Sequence, residues 1–527
     1  MESAVIFGKN RHFFGGIAPS NMLKFEAKYD VKTSRVTITA NLPSDTVIDG
    51  QMICCVGGAV IRKSYTDYPK DEFDGELVAD ITYNRTLSLT DDHSGTIYYA
   101  AFPYSKQGVY NRNKSEANRS ATNTSITYTY LFGYDLNTTD ADPDTRVTYH
   151  TEDPVDNRDY TPAKMNFTAN EFDYGSWNLA PGEKFMPRPC MLKYDGTVDY
   201  FLDPNDYTKK TDGTTSDVTN TSYAGNAMMQ WPKIYTKRWE ENGVYHFRCS
   251  DVKIDDSWDC WCNYDKNNNE IPYFYTAIYN GVMKSSKMRS LSYSNTEPTF
   301  GYTLTQQMTY SKNNGEHWYM DVIADRLLVQ DLLVMMGRST DGSDVYGPGA
   351  SYTGAVYRKV GLMNTKGLFW GASAQDGDGV KVFGMEHYWG NAFRRVAGWM
   401  WIKGVNVYKI TRGTHDGTTV TDYNTTGSGY ISETAVSAVT TNGSGSIKFM
   451  CTTPFGRFPY KVGGTNSTYE SDELVNNYST TDTYCALVGG YFTSKLGAGP
   501  FTVYLNKNAS ETGGINTSIS CKPPSTI

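Results

Sequence analysis

Three things are scarce in this 527-residue sequence: long apolar runs, charge of one sign, and metal-type ligands at paired spacing. No stretch reaches the about 18 consecutive apolar residues of a membrane-spanning helix, so membrane insertion is not expected. The most apolar segment, residues 326–336, is broken by Gln330 and Asp331 and reads as a core helix of about three turns. The 49 basic and 57 acidic side chains give a formal net charge of -8 with no long run of either sign. A nucleic-acid partner would call for a basic face, so none is expected. The seven histidines (12, 93, 150, 246, 317, 387 and 415) show no His-Glu-x-x-His pairing. A Gly-rich phosphate loop and a Gly-x-Ser-x-Gly elbow are also missing. At the N-terminus, MESAVIFGKNRHFFGG has no basic segment followed by an apolar one, so no secretory signal is expected. Nine cysteines, odd in number and without repeating spacing, argue against a disulfide framework and for folding in a reducing cytoplasm.

What is abundant is tyrosine, with 41 residues in a chain that is 14% aromatic. Tyrosine with Asn, Ser, Thr and Gly is the composition of antibody-like contact surfaces, because the ring offers rigid amphipathic area at low entropic cost. The same residues also suit strands, and a mainly β chain satisfies both readings. The length divides into two to four domains. Residues 1–19 read as an extended arm. From 20 to 113 the pattern alternates with period two (Val36-Thr-Ile38-Thr-Ala40, then Ile97-Tyr-Tyr-Ala-Ala-Phe102), with turn clusters spaced as in a small antiparallel sandwich. Residues 114–164 are polar and read as a connector or small subdomain. From 165 to 527 the apolar content rises into a second large domain. There, residues 321–336 carry apolar positions at 323, 327, 328, 332, 334 and 335, which predicts a helix with a buried face. Gly337 is expected to stop it.

Few residues offer chemistry. Cys260-Trp-Cys262 lacks a second thiol pair or nearby histidines, and on a strand its two thiols would share one face with Trp261 opposite. Asp376-Gly-Asp378 and Asp265-Lys-Asn267-Asn-Asn269 could give oxygen ligands to calcium, although the second lacks the Gly and Glu of an EF-hand loop. No resident cofactor is expected, and calcium is the one cation for which ligands can be named. The acid pairs Asp255-Asp256, Asp142 with Asp144, and Glu240-Glu241 could serve a glycosidase, but nothing selects one of them. In residues 382–398 (VFGMEHYWGNAFRRVAG) the glycines allow tight turns, Trp389 and Phe393 can fill a core, and Asn391 can satisfy turn amides. Arg394 and Arg395 are expected at the surface or in ion pairs.

Residues 382–398, with Gly384, Met385, Gly390 and Asn391, then Gly489-Gly490 and the closing Ser520-Cys521-Lys522, resemble the C-terminal half of the C-type-lectin-like fold in its formylglycine-generating-enzyme-type variant. The strand GTIYYAAFPYSKQG is similar to the penultimate strand of fibronectin type III domains. The segment from FFGGIAPSN to AAFPYSKQGVYN resembles the opening module of tail and tail-tip proteins from phages of gut bacteria. These resemblances imply a mainly β chain with an N-terminal β-sandwich that docks to the virion and a C-type-lectin-like α+β domain with few helices. They imply a virion location after assembly in the bacterial host cytoplasm, other virion proteins as partners, and a host cell-surface glycan or protein as receptor. A homo-oligomer is expected, a trimer being common among such adhesins, although no heptad stalk is present. In phage and retroelement-diversified members of the lectin-like fold, the stretch after the Gly-Gly pair forms the receptor-contact surface. By that resemblance Tyr491, Phe492, Thr493, Lys495, Tyr504, Asn506, Asn508, Glu511 and Asn516 are the candidate ligand contacts, against a reading in which the apolar ones face the core. The oxidase alternative would need a cysteine pair within residues 489–505, where there is none; Cys485 and Cys521 flank that segment. A capsule- or glycan-degrading enzyme is the other alternative, without an identified catalytic residue.

Overall fold

A computed structural model describes residues 16–30, 35–124, 130–151, 156–178, 184–352, 357–373, 379–402, 405–408, 423–432, 443–476 and 481–524. Most of the expected arm, residues 1–15, lies outside them. The chain is mainly β, 42% strand and 9% helical, with three α-helices among the described residues. None of these helices is long and apolar enough to cross a membrane. Two compact units divide the chain, Met1–Thr129 and Tyr130–Ile527.

In the first unit, a three-stranded sheet (Lys24–Asp30, Arg35–Asn41, Arg85–Thr90) and a four-stranded sheet (Glu76–Ile81, Val56–Ser64, Thr96–Ser105, Arg119–Asn123) enclose one core. The alternation places Val36, Ile38 and Ala40 from one sheet against Ile61, Ile97, Tyr99 and Ala101 from the other. The polar stretch 114–164 is divided between the units. Arg119–Asn123 pairs with Thr96–Ser105 in the first unit, whereas Leu131–Asn137 and Val147–Tyr149 belong to a sheet of the second. Its polarity has a physical reason. The hydroxyls of Ser120 and Thr122 accept from the amides of Ala27 (2.8 Å) and Tyr29 (3.0 Å), so they stand in for a ladder to the neighbouring strand.

The second unit is organised around one helix, Ile323–Gly337, every residue of which is buried. The sequence predicts one apolar face, but Leu, Val, Ile, Ala and Met extend all round it, which is the pattern of a helix enclosed on every side. Sheets and loops surround it, and its few polar side chains make the attachments. Asp331 accepts from Arg238 Nε (2.7 Å), Tyr134 Oη (2.7 Å) and Tyr245 Oη (3.0 Å). Those three partners sit on three strands of a four-stranded sheet (Val147–Tyr149, Leu131–Asn137, Val244–Ser250, Tyr235–Glu241). Asp325 accepts from Lys522 Nζ (2.7 Å) and Ser520 Oγ (3.1 Å) on or beside the last strand, Ile519–Cys521. That strand lies inside a seven-stranded sheet, between Tyr273–Ala277 and Trp318–Met320, so the end of the chain closes the fold. Arg326 is paired with Asp321 (2.8 Å), and Gln330 donates to the Pro500 carbonyl (2.7 Å).

The helix ends one residue later than the sequence predicts. Gly337 is still helical, and a Cβ there would meet Val345 Cγ1 at 2.8 Å, so close packing accounts for this glycine. Arg338 takes the left-handed conformation instead (φ 49°). The third large sheet has nine strands, with Phe393–Ile402, Thr483–Val488, Val503–Leu505, Glu473–Asn476 and Gly443–Thr453 in order through its middle.

Replacing Asp331 with Ala leaves a buried guanidinium and two buried phenols without their acceptor, which should cost about 3–5 kcal/mol in a denaturant titration. The Asp331→Leu, Arg238→Met double variant should recover part of that loss, because a buried pair replaced by apolar groups is often neutral. A single-variant loss under about 0.5 kcal/mol, the range of surface substitutions, would contradict this role for the carboxylate.

Candidate functional site

The 382–398 segment forms a platform. Trp389 is buried, with its indole N–H donating to the Gly347 carbonyl (3.0 Å). Asn391 accepts from the Arg358 amide (2.7 Å) and donates to the Arg358 carbonyl (3.2 Å), as expected of a residue that satisfies turn groups. The expectation for the arginine pair is corrected: Arg394 and Arg395 are both buried. Arg394 donates to the Tyr388 carbonyl and lies over the Tyr388 ring. Arg395 donates to Gln307 Oε1 (3.0 Å) and to the carbonyls of Glu511 (2.8 Å) and Asn508 (3.2 Å). The guanidinium fork satisfies several carbonyls at once, which lets a cation serve inside the fold where a sequence reading places it outside.

On this platform the tail turns. Gly489 and Gly490 are both left-handed (φ 79° and 66°), and a Cβ on Gly489 would meet the Tyr388 carbonyl at 3.1 Å. The Gly489 carbonyl accepts from the Gly390 amide (2.8 Å), and the Phe492 amide donates to the Asn391 carbonyl (3.2 Å). Further along, the Phe501 amide donates to Asp472 Oδ2 (2.6 Å). Burial holds that carboxyl well above the ordinary range.

The nine candidate contacts separate into groups. Tyr491 and Phe492 are half-buried and belong to a continuous series of rings. Phe300 meets Tyr357 (4.2 Å between centroids), Tyr357 meets Phe492 (4.6 Å), Phe492 meets Tyr491 (5.1 Å), and Tyr491 meets Phe393 (4.4 Å). Phe393 meets Tyr504 (4.6 Å), whose hydroxyl donates to Glu473 Oε2 and lies 3.4 Å from Ser494 Oγ. Burial, then Glu473, pushes the Tyr504 phenol up, so it stays a donor. Glu473 and Ser494 line an open cleft of about 490 Å³ together with Ser446, Asn466, Leu496 and Gly497. An aromatic belt therefore runs into a polar cleft. Thr493 is exposed beside it; Lys495 lies in a short 3-10 turn, Lys495–Gly497, and its side chain is outside the described residues.

Asn508 and Glu511 form a separate turn over Arg395. Asn508 Oδ1 accepts from the amides of Ser510 (2.9 Å) and Glu511 (3.0 Å), and Glu511 pairs with Lys507 (2.9 Å). Asn506 is half-buried, with its side-chain oxygen unpartnered. Asn516 is corrected outright. It is fully buried, accepts from the Gly281 amide (3.1 Å), and donates to the carbonyls of Gly281 (2.9 Å) and Thr299 (2.7 Å). It fastens the tail to a distant loop and is not available to a ligand. Phe393 is buried in the core, as expected, whereas no local motif marks Phe300, Tyr357 or Glu473. Only the fold brings them to the tail.

The other chemistry candidates have structural partners. Cys260-Trp-Cys262 lies in a turn rather than on a strand, with all three side chains buried, and Cys262 Sγ donates to the Ala324 carbonyl (3.2 Å). Burial pushes the Cys485 thiol up to about 11 and Cys521 well above its usual range. Asp265 is buried, and its Oδ1 accepts from the amides of Asn267 (2.8 Å) and Asn269 (2.9 Å), so its carboxylate closes its own loop. Asp376 and Asp378 lie outside the described residues. Asp142 and Asp255 accept from the amides of Asp144 (2.9 Å) and Ser257 (2.7 Å) in their own turns. Among the described residues no three His, Cys, Asp or Glu side chains are grouped as metal ligands. No protein-family model matches the chain, and no curated protein matches it significantly.

Beside the platform, Lys381 is buried, donates to the Met363 carbonyl (2.8 Å) and sits over the Tyr207 ring. Burial pushes its ammonium down to about 7, against the pull of Glu386. An unfolded lysine keeps its proton to about 10.4. Between those values the unfolded chain binds the extra proton, so this group's contribution to stability rises with pH. Melting temperatures of the parent minus those of Lys381→Met should therefore increase from pH 7 to pH 9. A difference that stays flat over that range would contradict a neutral buried lysine.

Proposed function

We propose that the chain is a structural protein of a phage virion that recognises a bacterial surface glycan or protein. In this reading the belt of Tyr491, Phe492 and Tyr504, with the cleft beside Glu473, is the contact surface. The observation that carries it is the continuity of the partly buried rings Phe492, Tyr491 and Tyr504, joined through the buried Phe393, with an open polar cleft, backed by the buried Trp389 platform. Aromatic anchors beside adaptable polar groups, on a rigid support, are what a recognition surface needs. The first unit then serves as the docking module, in line with the resemblance of its opening segment to phage tail proteins. Copies assembled on one particle would add avidity to a weak single site. Glycan cleavage draws less support, since among the described residues Glu473 is the one acid lining the cleft and two carboxylates are the usual requirement. The oxidase alternative would draw on Cys485 and Cys521, the cysteines that flank the Gly489–Leu505 segment, and both thiols are buried with raised pKa.

Tyr491→Ala and Tyr504→Ala proteins, fluorescently labelled and tested on a panel of gut bacterial strains, should bind the strains that retain the parent roughly thirtyfold more weakly. Their melting temperatures should fall far less than that of Trp389→Ala, where a buried indole costs about 3–5 kcal/mol. Retention of the parent by no strain, or unchanged binding by both stable tyrosine variants, would contradict the proposal.

A further inference from the structure

A second opening lies away from the belt, where two sheets of the second unit meet. It is an open groove of about 590 Å³, within the roughly 300–1,000 Å³ of small-ligand sites, and its walls include Trp239, Glu240, Met450, Thr452, Thr453 and Tyr460. One wall is the strand Tyr235–Glu241, which is the edge of its four-stranded sheet. The other is the hairpin of Gly443–Thr453 with Gly456–Val462.

We propose that this groove is a binding site for a neutral saccharide. Three features select that chemistry. The first is the lining, which combines aromatic and thioether surface with hydroxyls and a carboxylate. Sugar C–H faces pack on rings, while sugar hydroxyls need both acceptors and donors. Glu240 is exposed and accepts from Thr452 Oγ1 (2.7 Å), which orients its carboxylate. Burial, Cys451 and Glu240 push the Tyr460 phenol up, so it remains a donor.

The second feature is charge. Arg238 also lines the groove, but its guanidinium is buried and paired with Asp331 (2.7 Å). The accessible charges are thus the carboxylate of Glu240 and the ammonium of Lys237, which lies 5.4 Å from the Trp239 ring centroid, and their opposite signs leave hydroxyl-rich neutral ligands favoured over polyanions. The third is rigidity. Trp239 stacks on His246 (4.6 Å between centroids, 15° from parallel), and His246 Nδ1 lies 2.7 Å from Asp135 Oδ1. Thr453 Oγ1 donates to the Gly456 carbonyl (2.7 Å) and fixes the hairpin end. Little ordering cost then falls on binding.

An added β-strand is the competing occupant, because edge strands accept extended peptides. The gap is already crossed by the Thr452–Glu240 hydrogen bond and by Arg238 donating to the Pro454 carbonyl (3.4 Å). Both bridges obstruct a strand, and neither obstructs a sugar ring lying over them.

The test titrates the protein with cellotetraose, tetra-N-acetylchitotetraose and mannotetraose by calorimetry, with tetragalacturonate and an extended peptide mixture as controls. At least one neutral tetrasaccharide should bind, and Trp239→Ala should weaken it roughly thirtyfold. Glu240→Gln, which keeps the side-chain shape, should weaken it roughly tenfold at an unchanged melting temperature. Tyr491→Ala and Tyr504→Ala should leave this binding intact, which separates the groove from the cleft beside the belt. The proposal is overturned if no neutral tetrasaccharide binds, if only the tetragalacturonate or the peptides bind, or if the tyrosine variants lose the binding while Trp239→Ala and Glu240→Gln keep it.

Discussion

One buried carboxylate, Asp331, holds the second unit together in a way that apolar packing alone would not specify. Its two oxygens accept from a guanidinium and two phenols that belong to three different strands. An unpaired charge at that depth would be strongly destabilising, so those partners must be present for the helix to occupy the centre. Asp325 fixes the end of the chain in the same manner, through Lys522 and Ser520. The apolar residues of the helix supply the driving force for burial, and the polar ones set which strand lies against which turn. Everything exposed on the second unit is carried by that arrangement.

The belt depends on it through two links. Gln330 of the helix holds the Pro500 carbonyl, and Asp472 holds the Phe501 amide, so the loop that follows Tyr491 is tied at its far end. At its near end the Gly489–Gly490 turn is fixed on Gly390. A surface loop held at both ends can keep aromatic rings partly exposed without letting them collapse inward. The groove at Trp239 is tied to the same centre, since Arg238 reaches Asp331 from one side of the strand while Trp239 stacks on His246. Two separate openings therefore share one internal support.

Much of the fold was legible in the sequence where a side-chain period marks burial. The alternation through Val36, Ile38 and Ala40 and the helix near 321–336 are of this kind, while the core position of Trp389 was legible from a large indole set among turn glycines. What escaped was polar structure with a buried role. Arg394, Arg395 and Asn516 look like surface residues by type, and only their carbonyl and amide partners, 88 and 235 positions away in the case of Gln307 and Gly281, explain their burial. The strand Arg119–Asn123 escaped because, beside its backbone pairing with Thr96–Ser105, it presents hydroxyls rather than an apolar face. Within the candidate site, Tyr491, Phe492 and Tyr504 could be named from the tail. Their partners Tyr357 and Glu473 could not, and Phe393 could be named for the core but not for its contact with the tail, because contacts between distant segments leave no period in a sequence.

The proposed role requires the belt and its cleft to meet the host surface while the interior beneath them stays fixed. Hydrogen–deuterium exchange of the protein, free and bound to envelopes of a strain that retains it, addresses both halves at once. New protection is expected in residues 489–505 and around Tyr357, with exchange of the helix Ile323–Gly337 equally slow in both states. Protection confined to the first unit, or a change in the helix without any in the tail, would contradict it.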